Sequence, residues 1–143
     1  KKYDVILSLS ELEHKLNPDL FLKKLKKILN KNGSLIVRIP NYFNIYMLLL
    51  GYNYLRYDYR SSHNYYFSEK NLDLLFSKSN FKIIKKVGIN EYSFNHLLTY
   101  LKMGKRVSLN KTMNFFNNKQ DSHLISNIEK NMVSTSLLYI LSK

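Results

Sequence analysis

The side chains best suited to catalysis near neutral pH are the histidines at positions 14, 63, 96 and 123. A neutral imidazole can act as a general base because its unperturbed pKa lies near working pH. His63 stands in a polar stretch between an aromatic segment and the start of a helix, and His14 follows Leu12-Glu13. We take His63 as the first candidate base and His14 as the second. The alternative for His14 is a hydrogen-bonded histidine that orders its loop.

Other reactive groups are scarce. The absence of cysteine excludes disulfides, thiolate metal sites and a cysteine nucleophile. No histidine pair has the helix or loop spacing typical of a metal site, so no metal is expected. His96 and His123 fall in weakly patterned helical segments and are expected to be structural. The four glycines form no G-x-G arrangement, so the sequence shows no phosphate- or cofactor-binding loop.

The segment 41–62 is rich in tyrosine and is the candidate for shaping a substrate pocket. Tyr42 lies near its start, and the guanidinium groups of Arg56 and Arg60 suit a phosphate or carboxylate. We interpret the segment as a lid on the substrate side. Two alternatives stay open: a packed insertion that buries its aromatic rings, or a membrane-surface helix that presents Tyr and Leu to lipid.

The elements that must position these residues form a pattern typical of an α/β protein. Residues 3–8 are expected to form a strand buried on both faces, as in a parallel sheet. A helix is expected from the N-cap Asn17 to Asn32-Gly33, because glycine accepts the left-handed C-terminal conformation. A strand at 34–39 then completes a βαβ unit.

The second half of the chain predicts further helices and strands. A helix is expected from the N-cap Ser68 to Asn80, followed by a strand at 81–87 whose lysines suit a sheet edge. The other expectations are one or two short helices in 41–60, a helix at 92–101, a loop at 110–121, a helix at 122–132 and a strand at 136–141.

The charge is lopsided, with 23 Lys and Arg against 10 Asp and Glu, and a net charge of +13. A nucleic-acid-binding domain that uses tyrosines as stacking platforms is therefore one alternative. The lysines alternate with apolar residues, as on the solvated faces of amphipathic elements, so we favour no nucleic-acid partner. The longest apolar run, 45–50, is too short to span a bilayer, and no signal peptide is recognisable, so a cytoplasmic location is expected.

Several short motifs, in order and spacing, resemble a known family. The resemblance is to class I S-adenosylmethionine-dependent methyltransferases, closest to the subgroup that methylates small molecules such as quinone precursors and nucleotide-linked sugars. The motifs that carry it are Tyr3-Asp4-Val5-Ile6, Leu12-Glu13-His14, Asn17-Pro18-Asp19, Asn32-Gly33, Pro40-Asn41, and His63-Asn64-Tyr65-Tyr66-Phe67-Ser68 with Phe81. Asn80 departs from the family, which usually has glycine at that position.

The resemblance implies a Rossmann-like methyltransferase sheet with flanking helices, with the amino-terminal strands missing from this chain. Residues 1–143 would be the carboxyl-terminal part of a single methyltransferase domain, and an isolated fragment of this kind is expected to be inactive. The implied cofactor is S-adenosylmethionine, and the implied partner is a small-molecule acceptor, first a sugar of a surface-polysaccharide pathway. A non-catalytic remnant that packs against a partner chain is a further alternative.

The resemblance also implies which residues face the cofactor. Ligands of open α/β sheets bind at the carboxyl ends of the strands, where Ser8, Leu9 and Ser10 lie. The Leu9 position contacts the methionine part of the cofactor in the family. The Ser10 position is often acidic there, and a serine hydroxyl can still donate or accept a hydrogen bond. Peripheral membrane contact would fit a lipid-linked acceptor, and the oligomeric state stays open.

Overall fold

A computed structural model describes the backbone of all 143 residues and every side chain except that of Tyr57. The strands are β1 (Tyr3–Leu9), β2 (Leu29–Pro40), β3 (Lys82–Ile89) and β4 (Ser136–Ser142). The helices are α1 (Pro18–Ile28), α2 (Ile45–Leu50), α3 (Tyr52–Asp58), α4 (Glu69–Lys78), α5 (Phe94–Met103) and α6 (Asn118–Lys130). Short 3₁₀ turns lie at Leu12–His14 and Leu109–Lys111.

The strands form one mixed sheet in the order β1-β2-β4-β3. β1 and β2 are parallel and are connected through α1, whereas β4 lies antiparallel between β2 and β3. The expected α/β class, the βαβ unit and the position of the lysine-bearing strand at a sheet edge are therefore confirmed.

The core lies against the two central strands. Alternate residues of β2 and β4 are fully buried on one face of the sheet, as the period of two along a strand requires. They pack against Leu22 of α1 and against Leu72 and Phe76 of α4. The buried strand residues are Leu35, Val37 and Ile39 on β2, and Leu137, Tyr139 and Leu141 on β4.

β1 is not the strand buried on both faces that its composition predicts. Tyr3, Val5, Leu7 and Leu9 are between 43% and 62% exposed. The reason is that these four residues alternate along the strand and so share one face of the sheet, which no described element covers at β1. β1 is also an edge strand, paired with β2 on one side and with no described strand on the other. An apolar row on an open edge is a site where a further strand can add.

Two predicted boundaries are wrong. α1 ends before the extended residue Leu29, and Gly33 lies inside β2. A Cβ atom at Gly33 would lie 2.9 Å from the backbone oxygen of Asp4, so glycine is required there by the close approach of β1. The predicted loop at 110–121 also ends too late, because α6 begins at Asn118 after the N-cap Asn117.

The two predicted N-caps are confirmed. The Asn17 side chain accepts a hydrogen bond from the Leu20 N–H at 2.9 Å, and Ser68 caps the first turn of α4. Asn80 follows α4 with a φ of 57°, the left-handed conformation in which asparagine often ends a helix. Among the described residues, no helix has the length and apolar character needed to cross a membrane.

The segment that holds α2 and α3 is closed at its base. The Tyr42 N–H donates to the Phe67 carbonyl at 2.8 Å, which joins the two ends of the segment. Asn41 is buried, and its Nδ2 donates to the carbonyls of Met132 at 2.9 Å and Ser134 at 3.0 Å. These bonds attach the base of the segment to the loop before β4. One or two short helices are expected in 41–60, and two are present.

Candidate functional site

The turn at Leu12–His14 is bound directly to the loop that precedes α4. The backbone N–H groups of Asn64 and Tyr65 donate to the Glu13 carbonyl at 2.9 and 3.3 Å. The Asn64 Nδ2 donates to the His14 carbonyl at 2.8 Å. These bonds bring His63 beside His14, although the two residues are far apart in the sequence.

Glu13, His14 and His63 form a group that we call the Glu-His-His cluster. The imidazole centroids of the two histidines are 4.8 Å apart, with an interplanar angle of 76°. His14 Nε2 lies 4.0 Å from Glu13 Oε1. One ligand atom from each of the three side chains lies within 4.8 Å of the other two. The structure therefore joins both candidate bases and adds a carboxylate.

His14 is held in one tautomer. Its Nδ1 lies 2.8 Å from the carbonyl oxygen of Ser62. Since a carbonyl only accepts, Nδ1 carries the proton, and Nε2 is left with a free lone pair. That lone pair belongs to the nitrogen nearer Glu13.

Glu13 is a buried acidic residue of this cluster that the sequence analysis did not select as a candidate. Its side chain is 2% exposed, and neither carboxylate oxygen accepts a hydrogen bond from another described residue. Burial raises the pKa of this carboxyl group. The Leu12-Glu13-His14 motif contains this glutamate next to the candidate His14. Nothing in the sequence indicated that the glutamate side chain would be buried.

His63 favours the neutral, proton-accepting form. Its pKa is lowered first by burial, and then because the Arg60 guanidinium, and His14 when it is protonated, oppose a positive charge on His63. His63, Glu13 and Tyr42 line a cavity of about 20 Å³, room for about one water molecule. The other lining residues are Pro40, Asn41, Tyr54, Leu55, Asp58, Tyr65 and Tyr66.

The two candidate arginines are placed differently. The Arg60 backbone N–H donates to the Tyr66 hydroxyl at 2.7 Å, beside the cavity, and the charge of Arg60 acts on His63. Arg56 is exposed on α3 and is not among the described residues that line the cavity. Only Arg60 is therefore coupled to the Glu-His-His cluster.

The carboxyl end of β1 lies just before the Leu12–His14 turn in the chain. Ser8 is 3% exposed, and its hydroxyl oxygen has no hydrogen-bond partner among the described residues. Leu9 is 50% exposed. Ser10 has a φ of 53°, uncommon for a residue other than glycine, and its N–H donates to the Arg38 carbonyl at 2.9 Å. The three candidate cofactor-binding residues thus lie where the chain leaves the sheet.

A third histidine, His96, lies in a different setting with Tyr46 and Tyr92, and we call these three residues the His96 cluster. His96 and Tyr46 are both buried, and the Tyr46 hydroxyl lies 3.1 Å from His96 Nδ1. His96 Nε2 lies 3.1 Å from the Val107 carbonyl, so Nε2 donates to that carbonyl and Nδ1 accepts from Tyr46. Tyr92 stacks on the imidazole with a centroid distance of 5.0 Å. His123 is exposed on α6.

Comparison with models of protein families identifies the family of this chain. A family model described as a methyltransferase domain matches residues 1–86. This chain belongs to that methyltransferase family. The matched part contains β1, the Glu-His-His cluster and the segment with α2 and α3. No curated protein sequence matches the methyltransferase significantly.

Solved structures share the fold. An S-adenosylmethionine-dependent methyltransferase from Thermotoga maritima is 18% identical in sequence, with a TM-score of 0.60. The match covers 98% of this chain and 56% of the Thermotoga maritima chain. One from Archaeoglobus fulgidus is 17% identical, with a TM-score of 0.52 and coverages of 100% and 60%. One from Clostridium acetobutylicum is 12% identical, with a TM-score of 0.53 and coverages of 99% and 58%.

These likenesses show the Rossmann-like methyltransferase fold, and the cofactor that this fold implies is S-adenosylmethionine. The methyltransferase spans less than two thirds of the length of each of the three structures. The buried, unpaired hydroxyl of Ser8 at the carboxyl end of β1 fits a polar group of such a cofactor.

Proposed function

We propose that this methyltransferase transfers a methyl group from S-adenosylmethionine to a small molecule, and that a sugar of a surface-polysaccharide pathway is the first acceptor to test. The Glu-His-His cluster carries the proposal, because it puts two candidate bases beside a cavity under the segment 41–62. The chain would be the carboxyl-terminal part of a single methyltransferase domain, and the strands beyond β1 would supply the remaining cofactor contacts.

Ser8, Leu9 and Ser10 would hold the methionine end of the cofactor. The Ser8 hydroxyl is buried and unpaired among the described residues, so a hydrogen bond to the cofactor would satisfy it. Ser10 is exposed and its hydroxyl is available for a second contact. The backbone of Leu9 would complete the contact at the end of the strand.

His63 would act as the general base, and His14 is the second candidate. The acceptor hydroxyl would lose its proton to the neutral imidazole as its oxygen attacks the methyl carbon, while the bond from that carbon to sulfur breaks. Alignment of the oxygen with the sulfonium methyl would supply much of the rate. The lowered pKa of His63 supports the proton-accepting role.

The segment 41–62 would act as a lid over the acceptor. Tyr42 lines a cavity with room for only about one water molecule, so the segment would have to open before the acceptor could contact the Tyr42 ring. Arg60 would bind a phosphate or carboxylate of the acceptor at the rim of the cavity, and Arg56 would contribute from the exposed face of α3.

Calorimetry with S-adenosylmethionine on the full-length protein tests the proposal. We expect binding of one cofactor per protein, and transfer of a labelled methyl group to one member of a panel of nucleotide-linked sugars. Ser8→Ala should weaken cofactor binding by about 2- to 10-fold, the value of one hydrogen bond. Ser122→Ala, on the exposed face of α6, is the matched control and should change nothing. A full-length protein that binds no cofactor would overturn the proposed function.

A further inference from the structure

We propose that Glu13, His14 and His63 bind one divalent transition-metal ion, and that zinc is the ion this donor set fits. Two imidazoles and one carboxylate are a common ligand set for zinc. One donor atom of each residue lies within 4.8 Å of the other two. Atoms spaced in this way lie within about 2.8 Å of a common centre, and zinc bonds of about 2.0–2.2 Å need only a small inward movement of each side chain.

The histidine of the turn is already oriented as a ligand. His14 donates from Nδ1 to the Ser62 carbonyl, which leaves the Nε2 lone pair free. A ligating histidine typically donates its other ring nitrogen to a carbonyl or carboxylate in this way, because that bond sets the tautomer and the ring orientation. The backbone bonds from Asn64 and Tyr65 to Glu13 fix the two loops that carry the ligands.

The glutamate supplies an independent argument. A buried carboxylate without hydrogen-bond donors is unfavourable unless a positive charge compensates it. Glu13 is 2% exposed, and no other described residue donates a hydrogen bond to either of its oxygens. A dication between Glu13 and the two imidazoles would supply that compensation.

The proposed site has only three protein ligands and would keep an open position. Structural zinc sites usually have four protein ligands, whereas catalytic sites keep one position for water or substrate. Glu13 and His63 both line the cavity below Tyr42, so the open position would face it. A hydroxyl bound there would be acidified by the ion, which would then replace His63 as the activating group. Zinc binding itself does not rest on the proposed methyl transfer.

Titration of the metal-free full-length protein with zinc by calorimetry tests the site. We expect one zinc ion per chain, and no comparable binding of magnesium, which prefers oxygen ligands. Glu13→Gln, His14→Ala and His63→Ala should each weaken zinc binding by at least about 100-fold, since each removes a ligand and loss of a mere supporting contact already weakens binding about 10- to 100-fold. His123→Ala removes an exposed histidine of α6 and is the matched control, with no expected change.

A second readout separates the site from a folding defect. Cobalt absorption spectra report the coordination geometry, and the variants should lose the spectrum of the site while keeping the circular dichroism of the folded protein. The proposal is overturned if the wild type binds no zinc, if Glu13→Gln binds zinc as well as the wild type, or if His123→Ala weakens binding as much. Cofactor binding by a protein that fails these tests would reject the metal site alone and leave the proposed function standing.

Discussion

The His96 cluster and the Glu-His-His cluster use similar side chains and differ in how their polar atoms are paired. Both ring nitrogens of His96 have partners, the Tyr46 hydroxyl and the Val107 carbonyl. In the Glu-His-His cluster, no other described residue donates to the carboxylate of Glu13. A fully paired buried network contributes to a unique fold, whereas an unpaired one keeps its donors and acceptors for a ligand.

The two clusters also differ in their surroundings. Tyr46 and Tyr92 of the His96 cluster pack with Tyr100 in a second hydrophobic cluster. That hydrophobic cluster is separate from the one that covers the sheet. The Glu-His-His cluster lies between two loops, next to the carboxyl end of β1. Substitutions in the first cluster should therefore affect stability, and substitutions in the second should affect activity.

The largest expected effect is on activity. His63→Ala in the full-length protein should reduce turnover by at least about 100-fold, the lower range for loss of a general base. The unfolding free energy should change little, because His63 lies in a surface loop. Steady-state kinetics with the identified acceptor measure the first effect and denaturant titration the second. Near-normal turnover would remove His63 from the chemistry.

The next effect is on stability and belongs to the other cluster. His96→Ala should lower the unfolding free energy by about 2–3 kcal/mol, because it opens a cavity and leaves the buried Tyr46 hydroxyl unpaired. Tyr46→Phe removes only the hydroxyl and should lower it by about 1 kcal/mol. Denaturant titration gives both values. A His96→Ala protein as stable as the wild type would contradict the contrast between the clusters.

A smaller effect of opposite sign is expected at Glu13. In metal-free protein at pH 7, Glu13→Gln should raise the unfolding free energy by up to about 1 kcal/mol, because it replaces a carboxylate whose charged form is disfavoured by burial with a neutral amide. Thermal unfolding in the presence of a chelator measures the change. A marked loss of stability would instead show that the carboxylate of Glu13 has a stabilising partner in the free protein.

The smallest expected effect is at the rim of the cavity. Arg60→Ala should raise the KM for an anionic acceptor by about 3- to 5-fold, in the range of a partly exposed charge pair. Arg56→Ala is the matched comparison and should raise it by less than about 2-fold, because Arg56 lies on the exposed face of α3. Equal effects of the two substitutions on KM would show that the coupling of Arg60 to His63 gives Arg60 no larger role in acceptor binding than Arg56 has.

The parts of the fold that depend on local chemistry are predictable from the sequence. Asn17 and Ser68 are N-caps whose side chains bond within their own helix turns, so a short stretch of sequence specifies them. The exposure of one face of β1 is not local, because the composition of the strand cannot say whether another element covers that face. Gly33 is a similar case, since its role depends on the approach of Asp4 from a neighbouring strand.

The residues of the candidate site could be predicted in part, but their arrangement in space could not. His14 and His63 could be chosen from their residue type and motifs, but their proximity comes from the hydrogen bonds that Asn64 and Tyr65 make to Glu13. Sequence spacing therefore gave no indication that Glu13, His14 and His63 lie together. The role of Glu13 depends on burial by two loops that are distant in the sequence.

The hydrogen-bonded base of the segment 41–62 has a consequence for how that segment can vary. The Tyr42 backbone and the Asn41 side chain bond to residues outside the segment and fix where it leaves the sheet. Further along, Tyr46 is buried against α5, so its position is constrained by packing as well. The exposed positions of α3 carry neither constraint. Sequence variation in the segment should therefore concentrate at those exposed positions, where it leaves the register of the sheet unchanged.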